Sequence, residues 1–477
     1  MRLSRWSSVW CFALAACSAS TAQQDPEIGQ DDPTTDTGSN GSDDHPGTDG
    51  GSVTPVCGEP IDAGTITSFV KLAPDAGAAV LAAGADGSVV YTAANSFDVD
   101  ANFQQTFREG VTKLDARGNV VFTYPYGTVA AIDASGNVFV ARAFKAPRDF
   151  GTGVIAPNGN VDVFLVKLSA NGDVLFATTI GECGGTGVQD IAVGADGRIA
   201  ISGSAMGTVV LDAVGATLFR LAAYGHVAFD THGRLVVGGV FAGTVDLGNG
   251  HRLSTTSVSD EDSFIARYDL DGRYDTSVRI GDAPLPVDVP GYREVTEPSV
   301  QAISGIAVGP NDEIALAGGF MLDVDLFGNV FTSPPSFPSG TMAGTFIAKL
   351  DASFTPVFTK AGSGANASNP LGGLTVGGSV LPGNPVAIDS QGNVIVSSQT
   401  TGNAFYPDSY AALTKLDADG TAKFFIDGGA TFLYAGYGLG VAVDGCDNIL
   451  WSSFSSHPDF NSAGDVIQNT YITVVAP

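Results

Sequence analysis

A chain of 477 residues with 62 glycines, 44% hydrophobic and only 15% charged, has ample apolar surface for a core and many tight turns, an all-β profile. Its 50 acidic residues stand against 22 basic ones, a formal charge of -28. With no Lys/Arg cluster to offset it, such a surface repels phosphate backbones and argues against nucleic acid as a partner.

Residues 1 to 16 read as a signal peptide: Arg2 and Arg5 supply the positive start, and the apolar core Val9 to Ala16 is too short to span a bilayer. Leu14-Ala15-Ala16-Cys17 resembles a bacterial lipobox, in which the cysteine thiol takes a diacylglycerol and becomes the new N-terminus. An ordinary secretory signal with an incidental cysteine is the alternative. Ser18 after the cysteine, by likeness to Gram-negative lipoproteins, fits sorting to the outer membrane. Residues 17 to 56 then read as a lipidated cysteine and a disordered tether of Asp, Thr, Gly, Ser and Pro without Lys or Arg. As a flexible coil it reaches on the order of 35 Å, enough to hold residues 57 to 477 clear of a membrane. The expected location is the cell envelope, lipid-anchored.

Beyond Cys57 one motif aligns seven times, at Leu81, Ala131, Ile191, Val227, Ile306, Val386 and Val441. In VAIDSQGNVIVS, from Val386, two apolar strands meet at an Asp-x-x-Gly turn. Asp opens the turn by bonding its own backbone, and Gly takes the left-handed position that closes a bulged hairpin, joining strands A and B. Asn311-Asp312 and Cys446-Asp447 replace the glycine step in two copies, the less regular turns. A second hairpin, strands C and D, begins at Val111, Phe164, Phe264, Phe346 and Ala412. Its recurring base (Lys113, Lys167, Arg267, Lys349, Lys415) is expected as a solvated strand position beside an acidic neighbour. Four-stranded repeats cannot bury both faces alone, and radial stacking of copies solves that as a β-propeller.

Phe241-Ala-Gly-Thr-Val-Asp-Leu-Gly248, Phe320 to Gly328 and Phe346-Ile-Ala-Lys-Leu-Asp351 resemble the repeat of bacterial SBBP-type β-propeller proteins, over about residues 64 to 477. Where that family often has Trp on strand D, this chain has Phe122, Phe176 and Phe358. The resemblance implies a propeller and a surface lipoprotein, with no common catalytic residues to carry over. The expected fold is all-β, a seven-bladed propeller of four-stranded antiparallel blades. The last blade lacks its own strand D, and Thr65 to Leu72 is expected to supply it, a 3+1 closure of C-terminal and N-terminal strands; an open solenoid is the alternative. In that topology Cys57 and Cys446 share a face at the closure while Cys183 lies on the other, so a Cys57–Cys446 disulfide is expected.

The long insertions, Ser254 to Ser263, Asp282 to Val300, Thr332 to Gly344 and Gly362 to Pro385, all fall in B–C or D–A connections, on one face. Binding groups concentrate in such loops. Asp260, Glu261 and Asp262 are candidate binding residues there, with Asp260 and Asp262 a weak candidate Ca²⁺ site against the ordinary reading of a solvated acidic loop. Tyr292, Arg293 and Glu294 are a candidate recognition patch, or plain loop residues. The sequence contains no G-x-S-x-G, Walker loop, H-E-x-x-H or C-x-x-C. His226 and His232, roughly 20 Å apart at strand rise, are not expected to share a metal. The expectation is a monomeric, non-enzymatic binding or scaffold module for a protein or glycan, without a required cofactor. A propeller hydrolase or lyase with its site at the central opening of the same face is the alternative.

Overall fold

The computed structural model describes residues 57, 62–71, 79–92, 97–99, 105–107, 110–182, 187–256, 260–282, 300–321, 323–332, 344–363, 384–400, 410–427, 436–460 and 466–477. These are strands and turns, with no helix among the described residues. Strand pairing resolves them into five four-stranded antiparallel sheets and one eight-stranded sheet, with four two-stranded hairpins beside them. The innermost strands, Ala79–Ala83, Val129–Ile132, Asp190–Val193, His226–Phe229, Val300–Val308, Val386–Ile388 and Gly436–Val443, each touch the next, and the last touches the first. The result is a closed β-propeller.

Both faces of the blades are buried against neighbours. Phe139, Leu165 and Ile201 pack in one inter-blade core, Val140, Phe164 and Val166 in the next. The third blade, whose second hairpin the motif search passes over, is complete: Gly207–Leu211 and Thr217–Leu221 supply strands C and D.

The A–B turns share one backbone closure, and where Asp opens the turn its carboxylate adds to it; Gly84, Gly194 and Gly309 stand in that place in three copies. In Asp389-Ser390-Gln391-Gly392-Asn393 the Asp389 carboxylate accepts the amides of Gln391 and Asn393, and the Gly392 amide returns to the Asp389 carbonyl. The two copies without glycine keep the turn: Asp312 (φ 60°) and Asp447 (φ 62°) adopt the left-handed conformation themselves. Asp tolerates that region better than most residues, and each of these side chains is anchored to the preceding blade. Asp447 accepts from the amide (2.8 Å) and hydroxyl (2.5 Å) of Ser390, and Asp312 from those of Thr231 at 2.8 and 2.6 Å.

The expectation of solvated strand-C bases is overturned at four of the five positions; Lys167 is partly exposed beside Asp133. Lys113, Arg267, Lys349 and Lys415 are buried, because each side chain runs inside the blade stack toward backbone carbonyls or a turn carboxylate. Lys113 Nζ donates to Gly136 and Ala170 carbonyls of the next blade at 2.9 and 3.2 Å. Lys349 does the same to Gly392 at 2.7 Å and Ala418 at 3.4 Å. Arg267 reaches the Ala352 carbonyl at 2.6 Å, and Lys415 pairs with Asp389 at 2.7 Å. The third blade has no base on strand C, and Arg198 at the root of its strand B reaches Leu270 of the fourth blade instead.

A second interlock is aromatic. Phe122 on strand D lies over Gly172 in the next blade's C–D turn, so close that a Cβ there would stand 2.7 Å from the ring. Phe176, Phe219 and Phe358 meet Gly215, Gly272 and Gly420 in the same way. The fourth blade has Thr276 at this position, and the fifth answers with Phe354 in the glycine place, buried beneath the Arg267 guanidinium.

Closure follows the same rule. Ile66–Lys71 pairs with Val466–Val475 as the outermost strand of the last blade, and Phe424 of the sixth blade lies over Gly64, where the other blades have their C–D turn. Cys57 is disulfide-bonded to Cys446 in the A–B turn of that blade, across 389 residues of chain. Cys17 and Cys183 lie outside the described residues. Cys446→Ser, or reduction, is expected to lower unfolding free energy by about 3–5 kcal/mol, read by denaturant titration with and without reductant. Lys415→Met, which strands buried Asp389, is expected to cost about 3–5 kcal/mol in the same titration.

Candidate functional site

The two faces of the ring differ in kind. One carries the A–B and C–D turns, short and alike, their polar groups used up in the bonds just described. The other carries the B–C and D–A connections, and four of its B–C connections project an added two-stranded hairpin: Phe97–Val99 with Gln105–Phe107, Arg148–Asp149 with Val154–Ile155, Thr244–Gly248 with His251–Ser254, and Asp323–Leu326 with Asn329–Thr332. The Val-Asp-Leu step in two of the quoted repeat stretches thus opens a hairpin whose apolar residues, Leu247, Val324 and Leu326, turn inward. Of the insertions, residues 257–259, 283–299, 333–343 and 364–383 lie outside the described residues, and Tyr292, Arg293 and Glu294 with them.

Asp260, Glu261 and Asp262 stand where strand C of the fourth blade, Glu261–Tyr268, begins. Strand alternation puts Asp260 and Asp262 on one side and Glu261 on the other. Pairing of Glu261 with Val300 makes this the one junction, among the described residues, where two blades join in a single sheet. Strand D of the same blade, Tyr274–Ile280, ends beside it, and Gly281 bridges to Asp325 of the fifth-blade hairpin. That geometry brings in two residues the sequence did not single out. Asp282, the first residue after Gly281, accepts from the Thr256 hydroxyl at 2.9 Å, and Asp260 accepts from the same hydroxyl.

Asp262 is fully buried and its Oδ2 accepts a hydrogen bond from Arg279 Nε at 2.5 Å, while Oδ1 and Arg279 Nη2, which both lie over Gly281, have no hydrogen-bond partner. Asp282 Oδ1 is likewise buried without one. Burial pushes the Asp262 carboxyl up against the pull of Arg279, and the charges of Asp282 and Asp260 push it the same way. Burial alone raises Glu261. The Arg279 guanidinium thus meets Asp262, the carboxylates of Asp260 and Asp282 lie near enough to act on it, and Glu261 turns to the other side of the strand.

A second group of ligand-type residues lies on the turn face. Asp230, His232 and Asp312 bring ligand atoms within 4.8 Å of one another, but a cation already sits among them: Arg234 bonds Asp230 at 2.6 Å and Asp312 at 3.2 Å. His232 Nδ1 meets both Asp312 Oδ2, at 2.6 Å, and the Thr231 hydroxyl, at 3.2 Å. A nucleophile–base–acid relay needs those partners on opposite ring nitrogens, so the group is a latch between blades rather than a hydrolytic centre. His226 is separate from it and pairs with Asp190 at 3.4 Å.

No family model matches the chain, and no curated protein does. Among solved structures the chain is similar to BamB from Moraxella catarrhalis, 12% identical over 86% of this chain and 99% of that one with a TM-score of 0.38. It is also similar to a chain in the crystal structure of a mitotic checkpoint complex, 10% identical over 87% and 96% with a TM-score of 0.42. Neither likeness is close enough to carry an argument about activity.

The turn-face acids set the pH response. Burial disfavours ionisation of Asp312 and Asp389, yet Thr231 and His232 for the first, and Lys415 and Asn393 for the second, outweigh it and hold both below the usual carboxylate range. Their contribution is in place above the unfolded value of about 4 and is lost as pH falls through the folded values. Asp262 and Glu261 act in the opposite sense, their contribution fading as pH rises through their raised values. Stability is expected to fall steeply on acidification below about pH 4. Asp312→Asn, which keeps the left-handed turn, is expected to flatten that acid limb in denaturation curves taken at successive pH values; an unchanged limb contradicts the latch.

Proposed function

We propose that this chain is an exported lipoprotein propeller, anchored through Cys17 in the cell envelope at the outer membrane, that works as a monomeric binding or scaffold module through its insertion-bearing face. The observation that carries this is the contrast between faces. The turn face repeats one self-satisfied geometry, whereas the opposite face varies from blade to blade and projects hairpins. A rigid ring presenting irregular loops is the arrangement of a recognition surface. The partner class is a protein or glycan, and the likeness of the repeat to SBBP-type units supports the lipoprotein reading.

The disulfide supports one orientation for the proposed anchor. Cys57 is held to Cys446 on the turn face, so the tether starts from that face and the insertions point away from the membrane. A propeller hydrolase or lyase with its site at the central opening of the same face is the second reading; the His232 group lies on the turn face and does not bear on it.

Cys17→Ala is expected to move the protein from the membrane to the soluble fraction, and retention in the membrane contradicts anchoring. In a Cys183→Ser background, a thiol introduced on the hairpin (Asn249→Cys) is expected to react with maleimide on membranes faster than one on the turn face (Val214→Cys); equal rates contradict the orientation. For the role itself, the mature chain is applied to arrayed envelope glycans and envelope proteins. Binding is expected to be lost when residues 283–299 are replaced by a short Gly-Ser turn and kept when Ala134 and Ser135 of the turn face are changed. The reverse pattern overturns the proposal.

A further inference from the structure

We infer that the Cys57–Cys446 bond is a force clamp: tension arriving through the N-terminal segment enters the ring at the A–B turn of the last blade and bypasses the strand that closes the ring. The inference rests on the anchored reading of Cys17, because a ring held from one face and engaged by a partner on the other is loaded across its own closure. Without the disulfide that load would run through Ile66–Lys71, a strand of six residues that follows the N-terminal segment directly. It pairs with Val466–Val475 alone and is the edge of its sheet. Of its first two side chains, Ile66 is half-buried and Thr67 exposed. Unfolding under force is governed by the barrier of the element that carries the load, so the route of the load matters.

Chain lengths decide which route comes taut first. Ile66 and Ile449 flank Val475 on one rung of the sheet, which sets them about 10 Å apart. Cys446 lies three residues before Ile449, at most about 11 Å away, and the disulfide adds a Cα–Cα step of 5.4 Å. Cys57 is thus within about 26 Å of Ile66, whereas the chain between them can extend to about 30 Å. The disulfide tightens before any pull reaches Ile66. It also leads to a part of the ring braced on both sides. Ile449 and Trp451 pack with Ile395 and Leu413 of the sixth blade, and Leu450 with Val89 and Leu114 of the first. One residue beyond Cys446, Asp447 is held by the Ser390 amide and hydroxyl of the sixth blade. Load placed on Cys446 is therefore shared among three blades.

The test pulls the oxidised chain, residues 18–477, in optical tweezers between a handle at its N-terminus and one inserted in the hairpin tip at 249–250. No lipid is involved, so failure here is separate from failure of the anchored reading, which Cys17→Ala fractionation decides. With the disulfide intact, no lengthening is expected before the ring itself opens. With Cys57→Ser and Cys446→Ser together, a first step on the order of 5 nm is expected at lower force, as Ile66–Lys71 leaves Val466–Val475 and residues 58–78 extend. Should that variant fail to fold, reducing the wild-type chain already held in the tweezers gives the same comparison. The same early step in the oxidised chain, or no early step once the bond is removed, overturns the clamp.

Discussion

A cation on the third strand of most blades reaches toward the turns, and in Lys113, Arg267 and Lys349 it ends on carbonyl oxygens of the next blade. This contact does what apolar packing cannot. Hydrophobic faces of neighbouring blades attract one another at any small offset, whereas an ammonium with two carbonyl acceptors has one place to go. The buried charge is costly to desolvate, and the fold offsets that cost with directed hydrogen bonds to backbone carbonyls. The Phe-on-glycine contact fixes the outer edge in the same way, since the ring fits only where no Cβ intervenes.

These two interlocks run from blade to blade, and the closure uses the second of them. Gly64, a residue far from the sixth blade in sequence, receives Phe424 as though it belonged to the next repeat. The disulfide then restrains a joint whose two halves come from opposite ends of the chain. Without such a restraint the last blade would depend on a strand whose loop-closure entropy is the largest in the molecule.

The electrostatics of the two faces divide along the same line. On the turn face most acids hold turns, pair with bases, or in Asp312 and Asp447 bridge to the neighbouring blade. On the other face, at the fourth and fifth blades, carboxylates gather with a single guanidinium among them.

The repeated hairpins, the four-stranded blade and the 3+1 closure were legible in the residues, because Asp-x-x-Gly turns and strand alternation are local chemistry that each copy states again. Asp260 and Asp262 were legible as acids in an insertion. The role of Lys113 and its counterparts was not, since a base flanked by strand residues looks alike whether its end meets water or the next blade. The third blade's second hairpin was missed because it lacks that base, and Asp282 and Thr256 because nothing nearby in sequence marks them as partners of Asp262. Local pattern thus determined what each repeat is; only the ring decided which side chains are buried, which acids are paired and where the start of one strand and the end of the next bring carboxylates together, because those facts depend on contacts between segments that no sequence spacing encodes.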